Sequence, residues 1–355
     1  MTSAFPKDKN EAVRRLKEEA YRAQPGQEFE VARFEPEDAW GVARCFNEVY
    51  GEFYPFDSYY VPEQLIEANR LGDMIGVVAR TAVGDIIGFG SLFRGFAHNP
   101  LLYETGQATV LPEYRATLAV LCIQDYLFNT IASTVEIDEI LGEPVCNHLV
   151  MQKISSIFGF ADTGIELGLM PGETYRKGDA SGSRVSTCLS FKVIRDRPCE
   201  VYLPVEYEAI LSSIISKMPL TRDVKPSTAP VPKGAVSDLD ARYFDQAQSL
   251  RVSLPSLGED FERRLIEEEE RACARGIVVF QVFVNLGEPW SGRAVACLRK
   301  QGFFFGGFLP QWFGTDGMLM QKLSVLPEFD SVNLLSEDSR KLFDFIKDDI
   351  RSPRP

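Results

Sequence analysis

Residues 109–127 read TVLPEYRATLAVLCIQDYL, and they hold the side chains best placed for chemistry. An apolar, β-branched segment reaches Pro112, the pair Tyr114–Arg115 follows, and about four turns of mostly apolar helix come next. A strand that bends into a helix start offers backbone N–H groups with no partner inside the helix, and the helix dipole adds positive potential there. With Arg115 beside it, the bend is a candidate cradle for an anionic cofactor. The same residues also suit a packed strand-to-helix corner, with Tyr114 and Arg115 covering the bend.

Other reactive side chains are sparse. Glu104 lies in YETGQATVL (103–111), on the face opposite Tyr103 and Thr105 by strand alternation, where a solvated edge carboxylate is the plain reading. Asn147 stands at the expected start of a helix, where N-capping explains it fully, with His148 next to it. Cys122 and Cys146 lack a visible base, as a cysteine nucleophile would require. Asp316 can hold an amine cation, although an aspartate before a glycine in a turn needs no such role. His98 and His148 are the only histidines, and the seven cysteines have no metal-ligand spacing, so no metal site is expected. Neither GxGxxG nor a Walker A sequence occurs, which removes the usual support for NAD or ATP binding.

The elements that must position these residues form a mixed α/β pattern. A charged helix (7–22) ends at QPG, a strand (29–34) follows, and a helix begins near Pro36. A second helix (61–70) precedes a hairpin (74–81 and 86–94) and the strand 103–111. A helix over 115–131, a strand near 135–141, a helix over 146–158 and strands near 160–168 and 185–194 complete the first half. PGETYRKGDASGSR (171–184) reads as a mobile polar loop. A helix within 201–218 opens the second half, and the Pro-rich 219–238 is either a surface crossover or a flexible loop. Strand 245–254, helix 259–274, strand 276–284, helix 290–300, strands 302–309 and 317–324, and an amphipathic helix 336–349 follow.

That order repeats the first half. The proline of VLP (110–112) lies 47 residues before Gly159-Phe160, and the proline of SLP (253–255) lies 47 before Gly302-Phe303. Asn147 precedes its glycine by 12 residues and Asn285 by 17, so the repeat is clear in outline and loose in detail.

YETGQATVLPEYR with its helix, and VCNHLVMQKISSIFGF, resemble the GNAT superfamily of N-acetyltransferases. Members run E-x-G-x-x-x-V-x-P-x-x-R-G-x-G-x-G into a helix, then an Asn-led helix ending in Gly-Phe. The resemblance covers about 28–195 and extends more weakly over 201–325, so the whole resembles two GNAT-like domains in tandem. It implies acetyl-CoA or another acyl-CoA in an opening between the fourth and fifth strands. Its diphosphate would meet Arg115, Ala116, Thr117, Leu118, Ala119 and Val120, with Val110 and Tyr114 alongside. It also implies Asn147 on the pantetheine arm and Glu104 as general base through water. The chain departs from the pattern where Leu118 and Val120 replace glycines, where Ala116 fills another position that is often glycine, and where Ser155 replaces the frequent acid tyrosine. The second copy has no arginine after Pro255.

A formal charge of −13 and the lack of a basic tract disfavour nucleic acid. The acceptor expected is a small-molecule amine or a protein amino group. No apolar segment approaches a membrane span, the first residues do not resemble a signal peptide, and scattered cysteines suit the cytoplasm. The aromatic run 302–317 exceeds what one strand face can bury, and a domain interface is its expected place. The expectation is therefore an α/β tandem protein: an extension (1–27), a ligand-binding GNAT-like domain (28–197) and a divergent copy (198–355). Its expected activity is acyl-CoA-dependent N-acyltransfer, the alternative being a non-catalytic interaction or ligand-sensing protein.

Overall fold

The structure is a computed structural model and describes residues 5–19, 21–52, 54, 56–172 and 184–353. Most of the loop expected at 171–184 lies outside them. Contacts divide the chain into two compact units: residues up to Gly95 with Tyr103–Ile137, and Phe96–Leu102 with everything from Asp138 onward. The expected boundary at 197–198 falls inside the second unit.

In the first unit, α1 (Lys9–Glu19) precedes β1 (Phe29–Arg33), α2 (Ala39–Tyr50) and α3 (Pro62–Leu71). The strands β2 (Met74–Thr81), β3 (Ile86–Phe93) and β4 (Leu102–Val110) then form an antiparallel run in the order β1-β2-β3-β4. α2 starts behind a 3-10 turn at Pro36–Asp38, whose Asp38 accepts from the Glu35 N–H and pairs with Arg80 at 2.7 Å. A stacked Phe46–Tyr59 pair, with ring centroids 4.5 Å apart, fills the space between α2 and the sheet beside buried Phe89.

Beyond β4 the chain makes a 3-10 turn (Pro112–Tyr114) and enters α4 (Ala119–Asp125). A π-helical stretch, Tyr126–Ile131, and α5 (Ala132–Thr134) prolong it. The helix thus starts four residues later than the sequence suggests. Two glycines of β3 seat it: a Cβ on Gly88 would fall 2.9 Å from Ile123, and one on Gly90 2.7 Å from Ile123 and 3.2 Å from Leu127.

The second unit contains β5 (Glu139–Gly142), α6 (Val150–Ile157), β6 (Ala161–Met170) and β7 (Val185–Val193). β8 (Cys199–Leu203), α7 (Glu208–Ile215) and β9 (Arg222–Pro226) follow, then β10 (Asp238–Phe244), β11 (Ser249–Ser256) and α8 (Phe261–Ala274). β12 (Val279–Asn285), α9 (Ser291–Lys300), β13 (Phe304–Leu309), β14 (Gly317–Leu323) and α10 (Glu337–Arg351) complete it. Its main sheet runs β5-β7-β6-β13-β14-β12-β11-β10, and β8 pairs with β9 in a separate parallel ribbon.

Connectivity repeats strictly within this unit. β5 pairs antiparallel with β7, and β7 with β6; β12 pairs antiparallel with β14, and β14 with β13. Gly159 (φ 78°) and Gly302 (φ 91°) end α6 and α9 in the same way. Phe160 N–H reaches back to the Ser155 carbonyl, and Phe303 N–H to the Leu298 carbonyl, at 3.0 and 2.9 Å. The Gly-Phe pairs are helix C-caps that require left-handed backbone at the glycine. The two repeats meet where Gly164 of β6 pairs with Gly307 of β13. A Cβ on Gly307 would sit 2.4 Å from the Gly164 Cα.

The aromatic run lies in the core of this unit, on and beside β13, the strand that pairs with β6 where the two repeats meet. Phe303, Phe304, Phe305, Phe308 and Trp312 are buried, with Trp312 stacked on Phe283 at 4.9 Å and Phe305 set edge-on to Phe345 of α10. α7, α10 and the sheet together supply more apolar surface than the strand alone offers. The 219–238 segment is likewise no plain loop, since its first part is β9.

Candidate active site

β4 carries Glu104 and leads into the bend, so its shape decides what the bend can do. Opposite β3, Phe89 pairs with Thr109 but Ser91 pairs with Gly106, leaving one extra residue in β4. Gln107 takes φ 54° there, and its side-chain oxygen accepts from the Ser91 hydroxyl at 3.1 Å. This is a β-bulge, which interrupts the ladder and re-aims side chains. The glycine at 106 was the available signal, because an interior strand glycine often marks a bulge. The Thr105 and Thr109 hydroxyl oxygens are buried with no partner among the described residues.

Glu104 is buried rather than solvated. Its carboxylate lies directly on the Gly95 backbone: a Cβ built there would fall 1.7 Å from one carboxylate oxygen. Glycine at 95 is therefore a condition of where Glu104 sits, and nothing in the sequence pattern pointed to it.

At the bend, Val110 is buried and pairs with Gly88. Tyr114 is also buried, and its hydroxyl donates to the Gln24 carbonyl and accepts the Gln27 N–H at 3.3 Å. Those bonds tie the turn after α1 to the corner and commit the hydroxyl to backbone. Arg115 is exposed, with a 3.4 Å bond from Nε to the Val110 carbonyl and no ion pair among the described residues. Its charge opposes the rise that burial gives to the Tyr50 phenol pKa.

The backbone donors matter most. Thr117 N–H donates to the Tyr114 carbonyl, and the Thr117 hydroxyl accepts the Ala119 N–H at 3.2 Å. Cys122 N–H makes the first helical bond, to Leu118. Among the described residues the N–H groups of Ala116, Leu118, Val120 and Leu121 have no internal partner. Leu118 is 64% exposed and holds φ −82°, so the backbone there does not need glycine and the side chain does not fill the bend. Four open N–H groups, a helix start and a guanidinium with no ion pair among the described residues are the features that binding an anion would call for.

Asn147 and His148 belong to the second unit. α6 begins at Val150, and Asn147 occupies the preceding turn, exposed, so the N-cap reading is corrected. His148 takes the capping part instead, its Nδ1 accepting the Val150 N–H at 3.3 Å. Ser155 supplies its carbonyl to the α6 C-cap. Cys146 is buried with its sulfur 3.6 Å from that of Cys188, whose thiol this contact and burial hold well above its usual pKa. Asp316 is fully buried and forked to Arg222, through Nε and through Nη2 at 3.0 Å, and it accepts the Gln311 N–H. It is spent on structure and cannot receive an amine. Among the described residues no cluster of three or more His, Cys, Asp or Glu could hold a metal ion. No helix among them is long and apolar enough to cross a membrane.

No protein-family model matches the chain, and no curated protein is significantly similar to it in sequence. Solved structures similar to it include acetyltransferases. Ribosomal-protein-S5-alanine acetyltransferase from Vibrio fischeri is 16% identical, over 49% of this chain and 95% of that one, with a TM-score of 0.36. Spermidine/spermine N-acetyltransferase SpeG from Vibrio cholerae is 14% identical over 47% and 93%, with a TM-score of 0.35. The GNAT family N-acetyltransferase YhbS from Escherichia coli, solved in complex with CoA, is 13% identical over 40% and 73%, with a TM-score of 0.31. Each likeness spans half of this chain or less.

Proposed function

We propose that the chain is an acyl-CoA-dependent N-acyltransferase built from two GNAT-like copies, 28–197 and 198–355, behind an extension at 1–27. The carrying observation is the row of open N–H groups at Ala116, Leu118, Val120 and Leu121, with Arg115 beside them at the end of the bulged β4. A diphosphate is the ligand such a row suits, because N–H donors and one guanidinium match its dispersed charge without a metal. Acetyl-CoA or another acyl-CoA supplies that diphosphate. A small-molecule amine or protein amino group is the acceptor. The formal net charge of −13 suits neither nucleic acid nor an anionic membrane, and seven free cysteines accord with a reducing cytoplasm.

The reaction is direct. The amine loses a proton through water to Glu104, its nitrogen bonds to the thioester carbonyl carbon, and the collapsing intermediate expels CoA thiolate, which takes up a proton. Calorimetry of the full chain with acetyl-CoA and CoA tests this reading: binding is expected, and none up to millimolar ligand overturns it. Ser155, at the position where the family's acid tyrosine is frequent, favours a second reading, a non-catalytic ligand sensor. Binding without turnover across a broad amine panel would support it.

A further inference from the structure

The repeat gives the second half its own strand-to-helix bend, β11 into α8, and there the donors are not open. Leu257 N–H donates to a Glu288 carboxylate oxygen at 3.0 Å, and the Ser256 hydroxyl to the other at 2.7 Å. Gly258 N–H donates to the Ser237 hydroxyl at 2.9 Å, and Glu259 N–H to the Ala235 carbonyl at 2.9 Å. No ligand group can approach Gly258, since even a Cβ there would fall 2.3 Å from the Ser237 nitrogen. The neighbouring helix start is covered by the same segment. Gly292 N–H donates to the Ser227 hydroxyl at 2.8 Å, and Ala229 N–H donates to the Pro289 carbonyl at 3.1 Å. Between the two bends, β11 and β12 stay zipped in parallel through six consecutive pairs, from Ser249↔Val279 to Leu254↔Val284.

We infer that residues 227–237 are a built-in strap that occupies the second copy's anion site, with Glu288 standing where a ligand anion would. The strap is held at both ends, by β9 against β8 and by β10 against β11. Pro230 and Pro232 stiffen its middle, so ordering it costs little chain entropy. A tethered occupant also has a high effective concentration, which a free ligand must exceed. The second copy is therefore closed to acyl-CoA, and the chain takes one ligand, in its first half. This inference rests on the acyl-CoA reading for its ligand but not for its geometry.

Residue-resolved hydrogen exchange of the full chain, with and without millimolar CoA, tests both parts separately. In the free protein the Leu257, Gly258 and Gly292 amides should exchange slowly, and the Ala116, Leu118, Val120 and Leu121 amides fast. CoA should slow the second group and leave the first unchanged, and titration should reach one CoA per chain. The Ser227→Ala, Ser237→Ala double variant should speed exchange at Gly258 and Gly292 several-fold. Fast exchange at these amides in the wild-type chain, new protection there with CoA, or two CoA per chain would each overturn the strap. Slow exchange there with no CoA effect anywhere would uphold the strap and overturn the acyl-CoA reading instead.

Discussion

Under the proposed acyltransfer, Arg115 and Glu104 separate binding from chemistry at the level of single side chains. Arg115 is exposed, so a phosphate contact there is worth about 1 kcal/mol, discounted for solvent screening. Arg115→Ala should raise the CoA Kd about three- to tenfold, read by calorimetry, with saturated turnover little changed. Glu104→Gln should leave Kd unchanged and lower kcat by roughly 10²–10⁴, the usual contribution of a general base. Gly95→Ala should mimic that loss without touching a reacting group, because its methyl displaces the Glu104 carboxylate; normal kcat in a folded Gly95→Ala protein would count against Glu104. Glu139 makes a different test. It is fully buried, one carboxylate oxygen has no hydrogen-bond partner among the described residues, and burial together with Asp316 pushes its pKa well above the ordinary 4.5. The folded protein then keeps a proton that the unfolded chain releases above about pH 4.5. Glu139's contribution to stability is whole below that pH and is lost as pH rises. Glu139→Gln, neutral at every pH, should flatten the fall of Tm between pH 5 and 9, and an unchanged slope would refute the assignment.

The repeated strand–helix–strand–strand elements owe their junction to backbone contact, and that contact sets a sharp expectation. Gly164→Ala or Gly307→Ala should each cost more than ~3 kcal/mol in a urea titration at constant m-value, since the added methyl meets the facing backbone. Gly234→Ala, in open space at φ 74°, should cost only ~1 kcal/mol. The sequence showed this junction poorly, for a reason that holds more widely. Periodicity reports which face of an element is buried, and it located the hairpin 74–93 and the α8 and α9 helices to within a few residues. The Gly-Phe spacing was legible because a helix C-cap has a local conformational requirement. β9 was not: RDVKP is charged and ends in proline, and only its distant partner β8 makes it a strand. β10 was missed likewise, as a half-exposed edge strand without clean alternation. At the site, the corner was visible from Pro112 and Arg115. The bulge at Gln107 and the Gly95 seat depend on pairing between strands, which no single segment encodes.

Across the second unit, α10 holds the two repeats in one body by packing on both β6 and β13. Ser339 near its start donates to Asp162 of the first repeat at 2.5 Å. Asp349 near its end accepts from the Tyr207 hydroxyl and the Phe305 N–H, each at 2.8 Å, and pairs with Arg299 at 2.7 Å. Asp349→Ala strands three donors in a low-dielectric setting and should cost about 3–5 kcal/mol, visible as a Tm drop; a drop typical of a surface substitution would show the cluster to be dispensable. The β6–β13 pairing also has a consequence during translation. Gly164 leaves the ribosome roughly 140 residues ahead of Gly307, and synthesis at about 5–20 residues per second puts roughly 7–30 s between them. Throughout that interval the nascent chain carries β6 with one edge unpaired, a template for any other strand nearby. A chaperone that binds extended apolar segments should therefore engage ribosome-stalled chains ending near residue 200 and release them once β13 has emerged.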